Sequence, residues 1–254
     1  KDPVRHGDQA PSTAIDNYFS MKDEPEDAGI ETERLISLGY LSRVPKPTLD
    51  GIVGEKGKPA GLALIVKEKA DGSRKRRVIV DHKRNGGNDK AKVPERPVLP
   101  RVIDAIMMLL AFMRTALKLG PRMTLVAMDF SDAYFHFRIH EAEWRHTVSP
   151  DVSVISDRML QWIHMCFGLK AAPLIWCRLA TAVMRLLQGA ISFTEGLMQC
   201  YLDDPIMIVA GNLKQRRKII CFILWTLRML GIEVAWHKAS RGFSCTWIGV
   251  LFTL

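Results

Sequence analysis

Nothing in this sequence repeats, and several familiar devices are missing from it. The five cysteines (Cys166, Cys177, Cys200, Cys221, Cys245) contain no CxxC pair, and their number is odd. That argues against a zinc site or a disulfide framework and for a reduced compartment. The longest apolar runs, Ile103–Met113 (broken by Asp104) and Ile219–Leu227, fall short of the roughly 18 residues that a membrane span needs. No secretory signal opens the chain. The expectation is therefore an intracellular protein, of cytoplasm or nucleus, neither secreted nor bound to a membrane. The histidines show no metal-ligand spacing. His136 and His140 are four apart, but "YFHFRIH" alternates like a strand, so the two rings need not converge. Acidic residues are the scarcer charge: 27 Asp and Glu against 36 Lys and Arg leave a formal net charge of +9. Such an excess favours a polyanionic partner, and nucleic acid is the commonest.

What is present reads as a globular α+β chain. Of 254 residues, 48% are hydrophobic and 25% charged, an ordinary globular composition. The chain opens at Lys1 and closes at Leu254 in strand-like sequence, so it is expected to be a segment of a longer protein. Residues 1–28, with three prolines, read as a linker or peripheral arm, and a short helix from about Glu31 ends at Gly39. The Pro- and Gly-rich stretch 42–60 reads as loop. Leu62–Lys67 and Arg77–Asp81 flank a turn at Asp71-Gly72 and predict a basic hairpin. Apolar residues at helical spacing predict helices over Val102–Leu119, Pro173–Gln188 and Leu213–Leu230. Between them lie a buried strand at Thr124–Phe130 and an extended "YFHFRIH". Two short strands close the chain. From residue 124 this order suits a small antiparallel sheet with helices on one face, as in split βαβ folds.

One stretch carries the chemistry. "QCYLDDPIMIV" reads as a hairpin with Leu202-Asp203-Asp204-Pro205 at its tip. Two adjacent carboxylates repel, so they must be solvated or share a cation. Magnesium takes oxygen ligands of this kind. Asp129, at the end of "TLVAMDF", would join them if its strand lies beside the hairpin. Three carboxylates at one sheet edge can hold two metal ions for in-line phosphoryl displacement. Asp and Pro are also favoured turn residues, and the stretch taken alone reads first as an exposed turn.

The ordered set "RRVIVDHKRNGG", "RPVLPRVIDAI", "MDFSDAYFHFRIH", "MCFGLKAAPLIW", "YLDD", "LGIEVAWHK" and "TWIGV" resembles the reverse transcriptase family, in particular the gypsy-like or DIRS-like retrotransposon type. The resemblance covers about residues 30–254 and implies a polymerase palm plus a fingers subdomain, with no evident thumb. It implies an organisation of 1–28 as arm, 29–123 as fingers and lead-in, 124–240 as palm with a fingers insertion near 135–165, and 241–254 as a primer-grip-like hairpin. It implies two Mg2+ ions (or Mn2+) on Asp129, Asp203 and Asp204. Lys238 would protonate the leaving pyrophosphate. Arg77 and either Lys67 or Lys69 would bind the incoming triphosphate. Tyr134 would exclude a sugar 2′-hydroxyl, which disfavours RNA synthesis. Phe167, Gly168 and Pro173 would pack against template and nascent pair, with Tyr201 leading the aspartates. Trp247, Ile248 and Gly249 would grip the primer. The implied partners are an RNA or DNA template-primer, deoxynucleoside triphosphates and flanking domains of one polyprotein. The implied activity is RNA-directed DNA synthesis. The rival expectation is a decayed relative that binds nucleic acid or scaffolds without catalysis.

Overall fold

The computed structural model describes residues 16–45, 59–69, 72–118, 122–152 and 158–254. Residues 1–15 of the expected arm, most of the 42–60 loop, Asp71 and the helix-stopping Gly120-Pro121 lie outside them. The chain divides into two compact units, Lys1–Pro94 with Tyr134–Ala172 and Glu95–Ala133 with Pro173–Leu254. Both mix helices with antiparallel strands. Among the described residues no helix is long and apolar enough to cross a membrane.

In the first unit, residues 16–28 are not a loose lead-in. Helices α1 (Phe19–Asp23) and α2 (Pro25–Ser37) occupy them, and Tyr18, Met21 and Ala28 are buried. Pro25 stands at the first helical turn, where its missing N–H costs no bond, so α2 begins well before Glu31. Gly39, at φ 73°, closes it as expected. Strands β1 (Leu41–Pro45), β2 (Leu62–Glu68) and β3 (Arg74–Val80) follow. β2 and β3 pair antiparallel, with Leu62 opposite Val80 and Leu64 opposite Val78. These four enter a core with Leu35, Leu160 and Trp162.

Alternation along β3 divides its basic run. Arg74 and Arg76 lie on the core-side face and ion-pair with the buried Asp27 of α2. Burial opposes ionisation of Asp27, but the two guanidiniums outweigh it and hold the carboxyl below its ordinary value. Lys75 and Arg77 take the opposite face. A short helix, α3 (Gly87–Lys90), comes next. Further along, β5 (Val148–Pro150) and β6 (Arg158–Trp162) form a sheet in the order β1-β6-β5. "YFHFRIH" is extended only in its second half, where Arg138 bridges antiparallel to His164. Its first half folds into a 3-10 turn over Ala133–His136, because Phe135 is drawn into the core, where it stacks on Tyr40 at 4.6 Å.

The second unit holds helix α4 (Val102–Lys118), strand β4 (Met123–Ala127), helix α5 (Ala172–Gly189), strands β7 (Gly196–Tyr201) and β8 (Asp204–Ala210), helix α6 (Leu213–Met229), and strands β9 (Ser240–Gly242), β10 (Ser244–Trp247) and β11 (Val250–Thr253). A capping box of Asn212 and Gln215 starts α6. The sheet order is β7-β8-β4-β9, and β10-β11 is a separate hairpin. Leu125, Ala127, Ile206 and Ile208 face α4 and the hairpin in one core. Val126, Met207 and Val209 point the other way and are equally buried. The sheet is thus covered on both faces rather than one, which the unbroken apolar run "IMIVA" requires.

Candidate active site

The hairpin of β7 and β8 closes with Tyr201 opposite Asp204. Its tip is therefore only Leu202 and Asp203, and Asp204 and Pro205 already belong to β8. Leu202 sits at φ 53°, a conformation that a branched side chain adopts at a cost and that primed two-residue turns demand. Four consecutive carbonyls hold this turn. The Leu202 oxygen accepts from the Trp176 indole at 3.0 Å and from the Cys200 thiol at 3.1 Å. The Asp203 oxygen accepts from the Phe130 amide at 2.7 Å, and the Pro205 oxygen from the Met128 amide at 3.0 Å. The Asp204 oxygen accepts from the Trp247 indole at 2.7 Å. Both tryptophans are fully buried, so each indole N–H needs such a partner.

The same bonds place Asp129. β4 ends at Ala127, but Met128 and Phe130 continue to donate to the hairpin. The Asp129 carbonyl accepts from Ala235 at 2.8 Å. The Asp129 side chain pairs with the Lys238 ammonium and lies within hydrogen-bonding reach of the Asp204 carboxyl. Burial first, then the charges of Asp203 and Asp129, push Asp204 up to about 6, against the pull of Lys238. Burial and the nearby Asp203 also push up the Cys177 and Cys200 thiols. The donor set is all carboxylate oxygen, the chemistry that suits Mg2+ or Mn2+, and its mutual repulsion is what a cation relieves. Lys238 already supplies one positive charge there. Among the described residues, no group of three or more His, Cys, Asp or Glu side chains stands in an arrangement that could hold a metal ion, with Asp129 paired to Lys238.

Other predicted residues of this unit fall around the turn. Pro173 lies in the first turn of α5. Tyr201 packs against the core shared with Trp247 and Phe252. Trp247 is committed to that core and to the Asp204 carbonyl, which leaves Ile248 and Gly249 as the tip of the β10–β11 hairpin. Their φ values of 42° and 82° fit a type I′ turn.

The first unit gathers a separate set. The Arg77 guanidinium lies 4.5 Å from the Phe167 ring centre, and Tyr134 meets the same ring edge-on at 5.2 Å. Gly168, at φ 112°, passes so close to Val80 that a Cβ would stand 1.8 Å from its carbonyl oxygen; only glycine fits there. Its own carbonyl accepts from the Asn88 amide at 2.8 Å. Lys67 lies opposite Lys75 on the face of the β2–β3 hairpin that carries Arg77, whereas Lys69 lies past the end of β2 and bonds through its backbone to Ser73 at 2.8 Å. Of the two lysines, the register of the hairpin thus places Lys67 on the Arg77 face. Lys75 lies on the same face, a position that the sequence reading passed over although period-two alternation with Arg77 marks it. Trp176 and Cys200 were also missed. Their roles depend on a carbonyl distant in sequence, and only the buried indole hinted at a partner.

The family model for the reverse transcriptase (RNA-dependent DNA polymerase) matches residues 80–252. Among solved structures, the chain is similar to a foamy viral protease-reverse transcriptase in complex with double-stranded DNA, with a TM-score of 0.60 and 14% sequence identity. That match covers 86% of this chain and 32% of the viral one, so the chain spans about a third of its length. At this identity the likeness is one of fold. No curated protein sequence matches the chain.

Proposed function

This chain belongs to the reverse transcriptase (RNA-dependent DNA polymerase) family, and from that premise we propose that it extends a primer with deoxynucleotides on an RNA or DNA template, within a retroelement polyprotein of gypsy-like or DIRS-like type. The observation that carries this reading is the meeting of the Asp129 and Asp204 carboxyls beside Asp203, on a turn whose every carbonyl is bonded. In this reading the second unit is the palm and the first the fingers.

Asp129, Asp203 and Asp204 would hold two Mg2+ ions, which when bound supply charge stabilisation to the attacking and leaving oxygens. The chain's own residues do the rest. The bonded turn fixes the carboxylates, so little reorganisation remains when charge develops. Lys238 holds a proton at Nζ for the departing pyrophosphate and, while it pairs with Asp129, tempers the repulsion among the carboxylates. Arg77 and Lys67, with Lys75 beside them, neutralise the triphosphate, the guanidinium binding oxygens in pairs. The Tyr134 ring, braced by Phe167, excludes a 2′-hydroxyl by bulk. Gly168 and Pro173 shape the surface against the template, and Ile248 and Gly249 grip the primer. Part of the basic excess of the chain follows the template-primer backbone.

Primer extension tests the reading. Purified chain with Mg2+, a primed RNA template and deoxynucleotides is expected to extend the primer, and Asp203→Asn to abolish extension while leaving the fold intact by circular dichroism. An Asp203→Asn chain as active as its parent would remove the metal assignment. Preference for ribonucleotides would remove the role of Tyr134.

A further inference from the structure

The polymerase reading leaves one strongly charged surface unused. Helix α6 carries Lys214, Arg216, Arg217, Lys218 and Arg228 and no acidic residue. Four of these five lie at its start, where no acidic side chain opposes them. Except for Arg216, the fold gains nothing from this arrangement, because a helix start carries partial positive charge and favours acidic side chains. Lys214, Arg217 and Lys218 are exposed, and their i, i+3, i+4 spacing sets them on one face, neighbours about 5–6 Å apart. Arg216 turns inward and donates to the Met123 carbonyl at 3.2 Å. Arg122, next to Met123, adds an exposed fifth cation at the same end of the sheet.

Among the described residues, none of Arg122, Lys214, Arg216, Arg217 and Lys218 takes part in an ion pair. Glu195 stands at this end of the sheet too, its carbonyl bonded to the Ala210 amide, but its carboxylate accepts from Ser192 in its own turn at 3.3 Å. The patch is also distinct from the carboxylate turn. Met123 pairs with Ala210 at one end of the sheet and Ala127 with Ile206 at the other. At about 3.3 Å per residue, β4 separates Arg122 from Asp129 by on the order of 20 Å.

We propose that the start of α6, together with Arg122, is a second nucleic-acid surface that binds the phosphate backbone of single-stranded RNA lying outside the primer-template duplex. Charge complementarity and the share of guanidinium groups favour phosphate. The choice of RNA over another polyanion rests on the proposed polymerase reading.

The test compares the parent chain with a Lys214→Gln/Arg217→Gln/Lys218→Gln variant. Binding of an unstructured single-stranded RNA oligonucleotide is followed by fluorescence anisotropy over a salt series, without nucleotides. Losing three phosphate contacts should lower the salt slope of log K by about 2 and weaken binding ~10-fold at low salt. Extension of a short primed template with no single-stranded overhang beyond a few bases should be unchanged, as should the melting temperature or a slight rise in it. A charge-preserving Lys214→Arg/Lys218→Arg variant should bind like the parent. An unchanged salt slope in the Gln variant would overturn the proposal. So would polyglutamate competing as well as RNA of equal charge, since the partner would then be an acidic protein. The same binding measurement in an Asp203→Asn background gives its answer whether or not the chain polymerises.

Discussion

Leu202 and Asp204 flank Asp203, and their carbonyls each take a bond from a buried tryptophan. This makes Trp176 and Trp247 positioning residues for the aspartates, since neither reaches the reacting atoms. Phenylalanine in either place keeps the ring and removes the donor. A buried carbonyl left short of a partner costs about 1–3 kcal/mol. Trp176→Phe leaves the Cys200 thiol on Leu202, so its loss of stability should be the smaller, about 1 kcal/mol. In both variants the extension kcat should fall several-fold with KM for the deoxynucleotide unchanged, because only the reacting geometry is loosened. Denaturant unfolding and steady-state extension check this. A stability loss with kcat intact would show that the indoles serve the core alone. The aspartates were legible in the sequence because two adjacent acids between apolar strands demand an explanation. The indole bonds were not, since Trp176 lies one helix away from the carbonyl it holds.

The hairpin of β7 and β8 decides what Pro205 does. Proline lacks an N–H, and the question is which strand loses a bond. Tyr201 and Asp204 close the turn, so Cys200 and Pro205 form the next pair, one that exchanges no bonds within the hairpin. The Pro205 carbonyl accepts from Met128, and its nitrogen faces the same neighbour. The missing bond is therefore to the chain beyond β4, whose ladder stops at Ala127. The hairpin that carries the aspartates is untouched. Pro205→Ile should restore one bond beside Met128 and raise stability by up to about 1 kcal/mol, with the extension rate within about twofold of the parent. Thermal unfolding and primer extension on the purified variant check this, and a tenfold gain in rate would show that the proline impairs the site. Element positions were readable from period and caps: α4, α5 and α6, the two hairpins and the Gly39 and Gly231 stops stand within a few residues of their expected places. The first half of "YFHFRIH" was not, because its alternation was read as a strand while Phe135 stacks on Tyr40 from a tight turn; the second half does pair as extended chain, Arg138 with His164.

At the scale of the whole molecule, stability against acid depends on a group in the first unit. His82 is buried, with its Nε2 3.8 Å from the Cys166 sulfur. Burial, opposed by the Asp81 charge, lowers it from 6.5 to about 4. The unfolded chain takes up this proton as pH falls through about 6.5, and the folded chain does so only near 4. The stability is thus full above about 6.5 and drains away towards 4, by roughly 3 kcal/mol at 1.36 kcal/mol per pKa unit. Denaturant melts between pH 7 and pH 4 should show this slope, and His82→Phe should flatten it; an unchanged slope would assign acid lability to the carboxylates instead. The sequence by itself determined the composition class, the long helices, the hairpins that flank Asp71-Gly72 and Asp203, and the motifs that mark the family, because each depends on residues near one another in the chain; it did not show the strands Leu41–Pro45, Val148–Pro150 and Arg158–Trp162. Tertiary structure alone decided which residues meet. It set Asp129 against Asp204 and Lys238, turned Arg74 and Arg76 to Asp27 while leaving Lys75 and Arg77 on the other face, and buried Trp247 under the turn. Register, parity and burial are properties of the packed chain, and a shift of one residue in any strand would have reversed them.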